Sequence, residues 1–333
     1  MANRANVGVL AGSLGELSGN MTGLLATQKS DTTPFSLESD SAPEFYVTGK
    51  PGPQAPAVRT LERDVSGLTA SNPYTGTTQP ITNYLADPAE MAILHMVNAD
   101  PARTPTFALF AKPDYFLTPG SPTCSPCVTQ NAGFAYDHGD YAAEINTNFL
   151  GIVGPGVRHL GLDGTAAADG PNSAGPNSGQ VTVPHSGTKG PWIDETDIRP
   201  TLMYLTGLRD DYEHDGRVIT QILSDPNHAL SAPFVTRLGE CYKQLNSSVG
   251  KLGTDSLIAA TAAIESTSTG DAAYLHVDQA LRRLDVARDH LALKIKDELE
   301  DAAFHDARIR DVIPQIFFCQ LIIHRAHRLA NSS

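Results

Sequence analysis

The chain has few cysteines, a single tryptophan, fewer basic than acidic residues and no long apolar run. Each shortage excludes something. No stretch approaches the roughly 18 consecutive apolar residues of a membrane-crossing helix, so no transmembrane segment is expected. The opening Met1-Ala2-Asn3-Arg4, followed by Val7 to Leu10, is too short and too interrupted for a secretory signal, which predicts a cytoplasmic protein if it is made as given. With 24 Lys and Arg against 37 Asp and Glu, the net charge of −13 disfavours nucleic acid and anionic membranes as general partners, unless a local basic patch exists. Cys124 and Cys127 share a loop rich in Pro, Gly and Ser, where a local disulfide would pin the loop. The alternative is two unpaired thiols. Cys241 and Cys319 supply no second close pair for a zinc knuckle and are expected to be free.

What remains is ample for a folded protein. A chain of 333 residues with 41 % hydrophobic content can bury a sizeable core in one large domain with an appendage, or in two. Residues 1–85 form a loop-rich segment with helical candidates at Asn6 to Lys29 and Val58 to Leu68. Asp87 to Val97 predicts a helix capped by Asp87 with Pro88 in its first turn. It feeds a strand, Thr106 to Phe110, and a second strand is expected over Phe149 to Val157. The stretch 164–190 is of low complexity and predicts a mobile surface loop inside a core spanning 86–222. From 223 to 333 the pattern turns helical. Val277, Leu281, Leu284, Leu291, Ile295 and Leu299 recur on one helical face, and shorter helices near Ala232 to Gln244, Ser256 to Ser266 and Ile313 to Ile322 complete a bundle. That bundle could mediate self-association, lie beside a membrane, or pack on the sheet or on itself.

Chemistry-bearing residues follow in one order. The first strand ends at Asp114; then come Asp137-His138-Gly139, Gly154-Pro155-Gly156-Val157, Thr196-Asp197-Ile198-Arg199-Pro200-Thr201-Leu202, and Asp215-Gly216-Arg217. This series resembles the closing half of the alkaline phosphatase superfamily, which includes phosphodiesterases, nucleotide pyrophosphatases, phosphatases and sulfatases. The resemblance implies an α/β fold with a mostly parallel sheet flanked by helices. It also implies hydrolysis of a phosphate or sulfate ester assisted by divalent metal, Zn²⁺ first and Mn²⁺ or Ca²⁺ as alternatives. His138 matches a metal-binding histidine and Asp114 a metal-binding carboxylate, whereas Tyr115 stands where the family has a histidine. Asp137 reads as a ligand or as an acceptor orienting the imidazole. His185 is a weaker ligand candidate. His324 and His327 share a helical face without a carboxylate close in sequence, so a structural role is expected for them.

The superfamily's nucleophile and its Asp-x-x-x-His pair have no counterpart before Asp114. The expectation is therefore a truncated hydrolase that is inactive alone, or a non-catalytic remnant serving binding or assembly through its helices.

Overall fold

A computed structural model describes residues 15–39, 42–134, 138–146, 150–159, 193–209, 211–224, 232–303 and 309–332. It opens with β1 (Glu16–Asn20), α1 (Met21–Lys29), β2 (Phe35–Glu38) and β3 (Glu44–Val47). Next come α2 (Pro56–Ser66), β4 (Thr69–Asn72), β5 (Thr77–Pro80), β6 (Thr82–Ala86) and α3 (Pro88–Ile93). The strands β7 (Phe107–Ala111), β8 (Tyr115–Thr118) and β9 (Val128–Asn131) follow, then α4 (Ala143–Asn146) and α5 (Ile198–Leu205). Four helices close the chain: α6 (Ala232–Asn246), α7 (Lys251–Glu265), α8 (Ala272–Ala303) and α9 (Ile309–Ala330).

The expected mostly parallel sheet is not what forms. One sheet runs β2-β3-β7-β6 with every pair antiparallel, a second runs β8-β1-β9, and β4 pairs with β5 as a hairpin. Only β1–β8 is parallel among the described strands. The strands have four or five residues, and the short turns of β2–β3 and β4–β5 suit antiparallel pairing, whereas a parallel pair needs a long crossover. In the β4–β5 turn, Asn72 Oδ1 accepts from Tyr74 N at 2.8 Å, and Gly76 takes the left-handed conformation, φ 70°.

The run Thr106 to Phe110 does become a strand, β7, with all five residues buried. The second expected strand does not form in its described part, 150–157. Gly154 and Gly156 have φ of 157° and 84°, Val153 is fully exposed, and only an isolated bridge joins Val157 to Leu223. Two glycines and a proline in four residues break the ladder that the apolar residues suggested. Of the helix expected over Asn6 to Lys29, residues 6–14 lie outside the described residues, and within 15–29 the helix begins at Met21. Before it, Glu16 to Asn20 alternate between half-buried and buried as a strand, and Asn20 caps α1 by accepting from Gly23 N at 2.9 Å.

Asp87 and Glu90 form a capping box on α3, which stops at Ile93 before His95 turns left-handed at φ 58°. The four closing helices share a core that includes Leu238, Tyr242, Leu281, Ile295 and Ile322. They also pack on the sheets, since Ile264 and Tyr274 enter the core beneath β1 and β7, and Thr261 Oγ1 accepts from Leu85 N at 2.9 Å. The α8 face expected from periodicity, Val277 through Leu299, is the buried one. Cys124 is joined to Cys127 as expected, but Cys241 is not free: a disulfide ties it to Cys319, linking α6 to α9. Sequence spacing could not show this, because the two cysteines are 78 residues apart and meet only through helix packing.

Candidate functional site

Asp114 occupies the turn between β7 and β8, buried and at φ 81°, a conformation Asp tolerates better than most residues. Its carbonyl accepts from Leu17 N at 2.7 Å, which sets the start of the parallel β1–β8 pair. Tyr115, in the place of the family's histidine, packs into the sheet core. Burial first, and the Asp114 carboxylate after it, push its phenol above the ordinary value, with Gln79 opposing.

His138 is exposed on the segment after β9. Its neighbour Gly139 is left-handed and accepts from Ala42 N at 3.0 Å. Tyr141 anchors that segment to the closing helices, because its hydroxyl lies 2.9 Å from both Ser248 O and Thr254 Oγ1. Asp137 and His185 lie outside the described residues, as does 164–190.

Among the described residues no group of three or more His, Cys, Asp or Glu is placed to hold a metal ion. Asp114 and His138 fall short of the three protein ligands of a catalytic zinc centre, so this donor set does not by itself fit the implied metal. His327 does gain a carboxylate the sequence could not show: its Nδ1 lies 3.4 Å from Oδ1 of Asp255, on α7. His324 is exposed.

The two closing motifs meet each other. The Asp197 carboxylate accepts from Arg217 N at 2.8 Å, from the Lys243 ammonium at 2.7 Å and from Asp194 N at 3.2 Å. One turn on, Thr201 Oγ1 donates to Asp197 O at 2.7 Å and accepts from Ile219 N at 3.0 Å. Between them, a side chain at Gly216 would run into the Thr196 carbonyl, so the turn requires glycine. Asp197, Thr201, Arg217 and Lys243 are all buried. Burial pulls the Lys243 ammonium below its ordinary value, while Asp197 and Asp194 oppose that shift. With both Asp197 oxygens accepting, this cluster is a lock between helix and turn. Asp197 was legible as a motif residue; its Lys243 partner, from α6, was not.

A second ionic cluster joins α2 and α3 to α8. Arg59 lies 3.5 Å over the Tyr274 ring, pairs with Glu62, and reaches Asp271 at 3.3 Å. Tyr274 donates to Asp87, and Arg282 holds Asp278 through two contacts of 2.8 and 3.1 Å. Glu62, Asp87 and Glu90 are all buried, with Arg59 beside Glu62 and Asp87. Burial, reinforced by mutual repulsion, pushes Glu62 and Glu90 well above the carboxylate range. Asp87 is pushed up to about 6 by burial, against its contacts with Tyr274 and Arg59. The Asp87-x-x-Glu90 spacing announced the cap; nothing local announced the burial.

An open cleft of about 590 Å³ lies between the β2–β3 hairpin and the 95–103 segment, lined by Glu38, Glu44, Tyr46, His95, Asn98 and Arg103 among others. The Tyr46 hydroxyl lies 2.9 Å from Glu44 Oε2, and burial followed by that carboxylate pushes its pKa up to about 12. Neither Asp114 nor His138 lines this cleft. No protein-family model, curated protein or solved structure matches the chain.

Proposed function

We propose that the chain is related to the metal-dependent phosphoric-ester hydrolases of the alkaline phosphatase superfamily and, alone, holds the supporting rather than the bond-breaking part of their machinery. One observation carries the reading. The two motifs that resemble the end of those enzymes are a single folded unit, in which Asp197 and Thr201 accept from the backbone amides of Arg217 and Ile219. The contact supports the reading at these motifs alone, since the sheets do not have the mostly parallel order that the resemblance implies.

In this reading His138 and Asp114 are the residues the resemblance would assign to a divalent ion, and no step is derived through one, because by themselves they do not make up its site. His138 contributes an exposed imidazole, and Asp114 a carboxylate fixed by its turn. Two ligands leave such a centre short of a third. The test is turnover of p-nitrophenyl phosphate, bis-p-nitrophenyl phosphate and p-nitrophenyl sulfate with Zn²⁺ or Mn²⁺. The expected result is no chelator-sensitive hydrolysis. Hydrolysis lost both on chelation and in His138→Ala would show the chain to be a complete catalyst and refute the supporting role.

A second reading, a binding or assembly module acting through the closing helices, is favoured by the apolar side chains that α9 leaves exposed.

A further inference from the structure

The outward face of α9 is divided along its length. Val312, Ile316, Cys319, Ile322 and Ala326 are buried against α6, α7 and α8. At 100° per residue, Ile313, Phe317, Leu321, His324 and Arg328 all fall on the opposite face, with Phe318 and Arg325 at its flank. Its first half is apolar: Ile313, Phe317 and Phe318 are 55, 60 and 51 % exposed. The two phenylalanine rings lie 5.6 Å apart, edge to face. The second half is basic, with exposed His324, Arg325 and Arg328, and no Asp or Glu follows Asp311 in the sequence.

We infer that this face of α9 docks on an anionic lipid surface, with Phe317, Phe318 and Ile313 entering the headgroup–acyl boundary and Arg325 and Arg328 meeting lipid phosphates. Two arguments select lipid over a second copy of the chain. The three apolar side chains expose roughly 300 Å² at ~150–250 Å² per large side chain, below the roughly 450 Å² of apolar area within the ~800 Å² per partner of a stable protein interface. An interfacial helix needs only such a wedge together with basic residues beside it. The second argument is charge. In a chain of net charge −13, a segment without acid that carries two exposed arginines is the local basic patch that anionic headgroups require. Since the wedge and the arginines lie on one face, the helix can dock without leaving its place in the bundle. The inference stands whether or not the ester-hydrolase reading holds.

The test floats the full chain with vesicles of phosphatidylcholine, alone or mixed with phosphatidylglycerol. Phe317→Ser/Phe318→Ser and Arg325→Glu/Arg328→Glu are compared with the wild type, and circular dichroism and gel filtration verify that each is folded. All four positions are exposed, where substitutions cost little stability. The wild type should float with the anionic vesicles and not with phosphatidylcholine alone, and should be released by salt. Each double variant should partition at least about tenfold more weakly. Failure of the folded wild type to float, equal flotation with both vesicle types, or flotation unchanged in both variants would overturn the inference. So would a dimer that Phe317→Ser/Phe318→Ser dissolves while no vesicle binding is seen, which would identify a second copy as the occupant.

Discussion

Tyr274, in the first turn of α8, donates its phenolic hydrogen to Asp87, the N-cap of α3. That bond is one of several that tie the closing helices to the sheet-bearing part of the chain. Asp87 is buried and, among the described residues, its other carboxylate oxygen has no hydrogen-bond partner, so the Tyr274 contact is the one that tertiary packing supplies. Tyr274→Phe keeps the ring beneath Arg59 and removes only the donor. It should lower unfolding free energy by about 1–3 kcal/mol, the cost of leaving a buried acceptor unmade. Urea unfolding measures this, and an unchanged midpoint would show the bond to be dispensable.

The same junction gives stability a pH dependence with a definite sign. Asp87 rises from its ordinary 3.8 to about 6 on folding, and Glu62 and Glu90 rise as well. The groups facing them are Arg59 and Arg63 from α2, Asp271 before α8, and Tyr274, Asp278 and Arg282 from α8. Between about pH 4 and 6 the folded state holds a proton on Asp87 that the unfolded state has lost, so this group's contribution falls as pH rises, and the raised Glu62 and Glu90 act with the same sign. Asp87→Asn cannot titrate. The difference in melting temperature between Asp87→Asn and wild type should move in favour of the variant as pH increases through that window; a difference independent of pH would contradict the assignment.

The Asp197 lock is expected to be costly to open. Asp197→Ala leaves the Lys243 ammonium buried without its 2.7 Å partner and the Arg217 amide without an acceptor. Breaking a buried pair by removing one side costs about 3–5 kcal/mol. Lys243→Met in the Asp197→Ala background should recover part of that loss, because no buried charge is then stranded. Equal stability of the single and double variants would deny the pairing.

The closing helices were legible and the sheet order was not, and the limits have physical causes. The α8 face showed because six apolar residues keep helical spacing over more than twenty positions, a signal that local sequence carries alone. The α3 cap showed for the same reason, since capping is local chemistry. Strand direction did not, because β7 reads the same whether its neighbours are parallel or antiparallel, and β3 and β6 were not recognised as strands. The apolar residues of 150–157 misled because they were weighed above Gly154, Pro155 and Gly156. At the candidate site, Asp114 and His138 were legible as residues. The Asp255 partner of His327, the Lys243 partner of Asp197 and the Cys241–Cys319 disulfide were not, since each joins segments at least 46 residues apart.

Titration with Zn²⁺ by calorimetry, on wild type, His138→Ala and Asp114→Asn, tests the central claim most directly. The account predicts weak uptake of at most about one ion per chain, lost in His138→Ala and weakened in Asp114→Asn, because each variant removes one of the two candidate donors among the described residues. Equal uptake by wild type and His138→Ala would remove His138 from any metal site and with it the link to metal-dependent ester hydrolysis.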